Sequence, residues 1–279
     1  MVRAMKVPGI RIALGAALAA AALSPAAAGE GAWATGAKAS VRLVAAGISP
    51  DGTIDAGIEI VLPEGWHTYW RSPGEAGIAP TFDFSASTNV ASADVAFPAP
   101  SIHDDGFAVT NIYDGQVMLP VRIAVTDPAA PVDLAVTVDL GVCADICVPD
   151  SVSASLAVSL GDIDAAASES IAKARAGVPM PAEPGVFAVT DLTRAGGTDK
   201  KPVFRIAATV PEGGDVHMFV EGPHDWRAYA PVAVSASGTE AVWDVKFSRR
   251  GAEGLVAGAE LRVTIAAGSR AIEQTLTVD

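Results

Sequence analysis

The sequence contains little cysteine, few aromatic residues and few positive charges. Its 279 residues include two cysteines, Cys143 and Cys147, which excludes a scaffold built on a network of disulfides. Lys and Arg number 19 against 32 Asp and Glu, and no basic run is present, so we expect no nucleic-acid binding. Half of the residues are hydrophobic, which excludes an ordinary disordered chain.

The first 28 residues have the pattern of a secretory signal peptide. Basic residues precede an apolar run at residues 12–23, and small residues at 26–28 suit a cleavage site. The run is shorter than the roughly 20 residues that a membrane-spanning helix needs. We therefore expect export to the periplasm, where disulfides can form, and no membrane span after the signal peptide is cleaved.

Alternating apolar and polar residues, the pattern of β-strands, recur along most of the chain. Clear examples lie at residues 54–62, 117–125, 132–140 and 152–160, and turn formers such as Pro-Asp-Gly separate them. Short strands punctuated in this way are typical of a β-sandwich. The pattern predicts an all-β fold, with a first β-sandwich domain at residues 29–160.

The pattern changes after this block. Residues 162–176 are rich in helix formers, with acids at the start and bases at the end, which suits the helix dipole. A proline-rich stretch at 178–185 follows, and then a second strand-rich block. We predict two immunoglobulin-like β-sandwich domains, with the second at 186–279, joined by a short helix and a Pro-rich linker at 161–185.

The two cysteines follow a strong strand and precede a turn signal. Three residues separate Cys143 from Cys147. A disulfide can close this gap if the chain turns back on itself, whereas an extended strand would hold the Cα atoms too far apart. Three interpretations stay open at this point: a structural disulfide, a Cu(I) or other soft-metal site, and a redox-active dithiol. Asp145 lies between the thiols, and its negative charge would raise their pKa.

Four segments in order resemble a known family. They are residues 65–77, 97–100, 113–120 and 143–149. Together they resemble the N-terminal periplasmic domain of the thiol:disulfide interchange protein DsbD, and more particularly the ScsB-like (suppressor of copper sensitivity) variant. ScsB-like proteins are also similar to this chain in having a second β domain.

The resemblance implies a redox site. In that family, an immunoglobulin-like domain takes electrons from a membrane-embedded domain and passes them to periplasmic disulfide proteins. The resemblance assigns the attacking thiol to Cys147, with Cys143 as the resolving thiol. A cap loop shields the cysteine pair in the family, and here Asp105 and Phe107 match the cap acid and the cap aromatic. Gly106 stands where the family often has a second acid.

The sequence also suggests positions for the other aromatic residues of the first domain. We expect Tyr113, like Phe107, to lie near the cysteines and to shield the sulfurs. Trp66, Tyr69 and Trp70 are interpreted as core and turn packing.

These inferences lead to one preferred function and one alternative. We expect a periplasmic thiol–disulfide exchange protein, leaning towards an enzyme component, with Cys143 and Cys147 as catalytic residues and no cofactor. Its expected partners are periplasmic thioredoxin-like or disulfide isomerase proteins, and a separate membrane electron-transfer protein, because the sequence contains no such membrane domain. The alternative is a non-catalytic module that binds Cu(I), through the same two cysteines, or an exported partner, and is linked to copper tolerance.

Overall fold

The computed structural model describes residues 29–161, 163–249 and 254–279. The predicted signal peptide lies outside these residues. The described chain is almost entirely β-structure, with one α-helix, as the alternating pattern predicts. Among the described residues, no helix is long and apolar enough to cross a membrane.

The first sandwich, formed by strands β1–β11, packs two sheets around one core. One sheet has the strand order β1-β2-β3-β9-β6, and the other has the order β11-β10-β4-β8-β7 with β5 beside β10. The strands are β1 (Ala34–Thr35), β2 (Ser40–Ile48), β3 (Thr53–Val61), β4 (His67–Gly74), β5 (Thr81–Asp83), β6 (Val90–Val95), β7 (Ser101–Asp104), β8 (Val109–Asp114), β9 (Gln116–Val125), β10 (Val132–Cys143) and β11 (Cys147–Val158).

Alternation along the strands builds this core. In β11, every second residue from Val152 to Val158 is buried, and the residues between them are exposed. Successive side chains of a strand point to opposite faces, so this register presents one apolar face to the core and one polar face to solvent.

One helix, α1 (Ala165–Ala176), lies where the sequence predicts it. Asp164 caps its first turn, since the carboxylate accepts a hydrogen bond from the backbone N–H of Ala167 at 2.8 Å. Ala167 and Ile171 pack against Val44 of the first sandwich. The helix is therefore docked on the first sandwich rather than standing free between the two.

The second sandwich, formed by strands β12–β20, again packs two sheets around a core of its own. The sheet orders are β12-β20-β19-β15 and β13-β14-β18-β16, with β17 also paired to β18. The proline-rich segment contributes β12, which pairs in parallel with β20. The strands are β12 (Met180–Pro181), β13 (Ala188–Thr198), β14 (Lys201–Thr209), β15 (Val216–Glu221), β16 (Arg227–Ala228), β17 (Val232–Ser237), β18 (Glu240–Ser248), β19 (Glu260–Ala267) and β20 (Arg270–Thr277).

Candidate functional site

Cys143 and Cys147 form a disulfide at the tip of a β-hairpin. Cys143 ends β10, Cys147 begins β11, and the two residues are partners in the antiparallel register. The chain turns back on itself as a disulfide requires, and the Cα atoms are 4.1 Å apart. The backbone N–H of Ala144 donates to the carbonyl of Ile146 at 3.0 Å and closes the turn.

The two cysteines differ sharply in exposure. Cys143 is only 1% exposed, whereas Cys147 and the adjoining Ile146 are exposed. Thiol–disulfide exchange requires that one sulfur be accessible to the partner. The arrangement therefore presents Cys147 to an incoming protein and keeps Cys143 behind it.

Tyr69 contacts both sulfurs and is the site residue that sequence reasoning missed. Its hydroxyl donates a hydrogen bond to Cys143 Sγ at 2.9 Å and lies 3.3 Å from Cys147 Sγ. Burial raises the pKa of the Tyr69 phenol, and the negative charge of Asp105 raises it further. The hydroxyl consequently stays protonated and remains a donor toward sulfur.

Two glycines make room for the Tyr69 ring. A Cβ added to Gly77 would lie 2.3 Å from a ring carbon of Tyr69, and Gly77 has a φ of +107°. A Cβ on Gly141 would approach the other edge of the ring to 3.3 Å. The ring thus sits in a narrow slot whose width only small residues permit.

A pair of histidines adjoins the disulfide. His67 is the cross-strand partner of Cys143, and its ring centroid is 4.9 Å from that of His103 on β7. Burial lowers the pKa of His67 and the neighbouring His103 lowers it further, while Asp114 and Asp105 act in the opposite direction. His67 is therefore biased towards the neutral imidazole.

The expected cap is the turn between β7 and β8, residues 105–108, called the cap loop below. The Asp105 carboxylate accepts hydrogen bonds from the backbone N–H groups of Ala108 and Phe107, and these bonds lower the pKa of Asp105. Phe107 is 97% exposed, so its ring does not cover the disulfide in this structure. Asp105 nevertheless lies close enough to influence both Tyr69 and His67 electrostatically.

Tyr113 lies apart from the sulfurs. It pairs with Thr68 in the β4–β8 register, one residue away from the Tyr69–Ile112 pair, so the two tyrosines point to opposite faces of the sheet. Tyr113 belongs to the sandwich core, and its hydroxyl donates to the Pro98 carbonyl at 2.6 Å. The shielding role that the sequence suggested for Tyr113 therefore has no contact to support it, and the tyrosine beside the sulfurs is Tyr69.

The other expected residues are placed as follows. Asp145 is exposed in the turn between the cysteines, and its effect on the thiols stays a prediction. Within the described ranges, no group of three or more His, Cys, Asp or Glu side chains is arranged to hold a metal ion. The structure therefore adds no observation in favour of the Cu(I) alternative.

Fold and site together define a tandem β-sandwich protein with an accessible disulfide on the first sandwich. Residues 38–159 match the family model "Thiol:disulfide interchange protein DsbD, N-terminal". This match covers the disulfide, Tyr69 and the cap loop, and it confirms the resemblance found in the four sequence segments.

A solved structure extends the likeness to the second sandwich. The crystal structure of the N-terminal periplasmic domain of ScsB from Proteus mirabilis matches with a TM-score of 0.72 at 22% identity, covering 90% of this chain and 99% of that one. At this identity the likeness establishes the shared fold. No curated protein matches the sequence.

Proposed function

We propose that this protein carries out thiol–disulfide exchange in the periplasm through Cys143 and Cys147. The observation that carries the proposal is the asymmetry of the pair, with an exposed Cys147 linked to a buried Cys143 that accepts a hydrogen bond from Tyr69. The family match of residues 38–159 supports the chemistry. The periplasmic origin of the similar Proteus mirabilis domain and the predicted signal peptide support the compartment.

The reaction proceeds in two exchanges that together move two electrons. In the reduced protein, the Cys147 thiolate attacks a partner disulfide, forming a mixed disulfide and releasing one partner thiolate. The Cys143 thiolate then attacks the Cys147 sulfur, which restores the Cys143–Cys147 bond and releases the second partner thiolate. The partner is thereby reduced to a dithiol and this protein is oxidised.

Tyr69 has a defined place in this sequence. A hydroxyl donor to sulfur stabilises a thiolate more than it stabilises a thiol or a disulfide, because hydrogen bonds to charged groups are the stronger ones. Tyr69 therefore stabilises the Cys143 thiolate and favours the resolving step. Cys143 is otherwise disfavoured as a thiolate by its burial.

The cap loop and the turn between the cysteines supply the remaining control. In this proposal, Phe107 gates access to Cys147 by moving over the disulfide, which it does not cover in this structure, and Asp105 tunes the thiolates through its charge. The negative charge of Asp145, between the cysteines, disfavours ionisation of the two thiols until a partner protein docks. The donor of electrons is a separate membrane dithiol protein, and the acceptors are thioredoxin-like or disulfide isomerase proteins of the periplasm.

Trapping of mixed disulfides tests this function. The Cys143→Ser variant keeps the exposed attacking thiol but cannot resolve the intermediate, so it accumulates covalent complexes with periplasmic proteins that dithiothreitol releases. Cys147→Ser is the matched control and should trap far fewer. Equal trapping by both variants, or trapping by neither, would contradict the proposal.

A further inference from the structure

The second sandwich contacts the first at β4, the strand that carries Tyr69. The central residues of β15, Met218 to Val220, are buried on both faces of the strand. Met218 and Val220 belong to the core of the second sandwich, while Phe219 between them belongs to the buried cluster of the first. The Phe219 ring centroid lies 5.6 Å from that of Trp70, which directly follows Tyr69 in β4.

An ion-pair network also links β4 to the second sandwich. The Arg71 guanidinium donates to Glu221 at the end of β15, with a shortest distance of 2.7 Å, and also to Glu273 of β20. Burial works against the charge of Arg71, but the hydrogen bonds and charges of the two glutamates raise its pKa overall. Trp70 and Arg71, the two residues that follow Tyr69 in β4, thus both contact the second sandwich.

Glu75 joins the second sandwich to the base of the cap loop. One carboxylate oxygen accepts the backbone N–H of Val109, the first residue of β8 after the cap loop, at 3.2 Å. The other oxygen accepts the backbone N–H of Ala230 in the second sandwich, also at 3.2 Å. The backbone N–H of Glu75 donates to the Val109 carbonyl at 3.1 Å, so Val109 is held on both sides.

We propose that the second sandwich positions the redox site of the first, and that Glu75 is the positioning residue that connects it to the cap loop. The proposal rests on the function proposed above. Its basis is the geometry: one carboxylate bridges the two sandwiches at the point where the cap loop rejoins the sheet, and β4 is anchored on the same side by Trp70 and Arg71. The second sandwich therefore restricts how far the cap loop and Tyr69 move relative to the disulfide.

The bridge depends on two acceptor oxygens. In Glu75→Gln, one oxygen becomes an amide nitrogen that donates rather than accepts, so one of the two backbone N–H groups loses its partner. In Glu75→Asp, the charge stays but the shorter side chain cannot span both N–H groups. Both variants therefore break one of the two hydrogen bonds, Glu75→Gln by removing an acceptor oxygen and Glu75→Asp by shortening the side chain.

The experiment measures amide hydrogen exchange and disulfide reduction in the full-length oxidised protein. Both Glu75 variants should speed exchange in peptides covering residues 104–112 and 228–232, by about tenfold for the affected amides. They should also speed reduction of the Cys143–Cys147 bond by excess dithiothreitol, by roughly threefold or more, because β4 and its Tyr69 are then held less firmly against the buried Cys143 sulfur. Asp55→Asn is the matched control, since it removes one charge and one ion pair with Arg175 on the helix-bearing side.

Two results would overturn the inference. One is an unchanged reduction rate in both Glu75 variants, which would leave Glu75 a purely structural contact. The other is an equal acceleration in Asp55→Asn, which would indicate general loosening. Because dithiothreitol replaces the partner protein in this assay, it reports on Glu75 even if mixed-disulfide trapping fails.

Discussion

The Tyr69 hydroxyl donates a hydrogen bond to Cys143 Sγ, and this bond joins two strands that are 74 residues apart in the chain. Tyr69 lies on β4 and Cys143 at the end of β10, so the contact exists only because these strands pair around His67 and Cys143. The buried Cys143 sulfur thus receives its hydrogen bond from β4 and not from the β10–β11 hairpin that holds the disulfide.

Removal of the hydroxyl tests its role. Tyr69→Phe should raise the pKa of the Cys143 thiol in the reduced protein by about one to two units, since a hydrogen bond to a charged group contributes about 1.5–3 kcal/mol and one pKa unit equals about 1.4 kcal/mol. Thiolate absorbance in the ultraviolet, followed against pH, measures this shift. Tyr113→Phe is the control, because it removes a hydroxyl bonded to Pro98 on the opposite face and should leave the thiol pKa unchanged.

The close packing of Gly77 against the Tyr69 ring leads to a second prediction. Gly77→Ala should lower the free energy of unfolding by about 2–4 kcal/mol, because the new methyl group is strained at positive φ and also overlaps the Tyr69 ring. Gly65→Ala provides the comparison: Gly65 has a φ of +76°, but no described atom would lie within 4 Å of its Cβ. We expect a loss of only about 1 kcal/mol there. Urea unfolding of the oxidised variants measures both, and equal losses would show that the ring does not limit the space.

His67 makes the stability depend on pH. Its pKa in the folded state is below the ordinary value of 6.5, so the unfolded chain binds the proton more readily. The contribution of His67 to the free energy of unfolding is therefore fully present above about pH 6.5, and it decreases as the pH falls towards the folded-state pKa. His67→Gln should flatten this dependence below about pH 6.5, whereas His217→Gln, at an exposed position of β15, should retain it. A retained slope in His67→Gln would assign the effect to another group.

Much of the fold follows from local pattern. Alternation in strands such as β11 predicts their buried faces, and Asp164 and the alanine-rich segment after it predict α1. The reversal between Cys143 and Cys147 follows from the short spacing and the flanking turn signal, because a disulfide of that spacing needs a turn.

The environment of the disulfide could not be predicted in the same way. A shift of one residue in the β4–β8 register would bring Tyr113 to the same face of the sheet as Tyr69, and no local pattern specifies that register. For the same reason, the sequence placed Tyr113 near the sulfurs and Tyr69 in the packing. The contacts of Arg71 and Glu75 depend on how the two sandwiches pack against each other. The alternation of apolar and polar residues within one sandwich does not predict that packing.

The central claim is that the Cys143–Cys147 pair is an exchange-active dithiol rather than a structural staple. Equilibration of the folded protein in glutathione redox buffers, followed by acid quenching and alkylation, measures the fraction of the pair that is oxidised. We predict a smooth and fully reversible two-electron titration, with the fold retained in both states. A pair that stays oxidised in the folded protein under strongly reducing buffer, or that is reduced only when the protein unfolds, would contradict it.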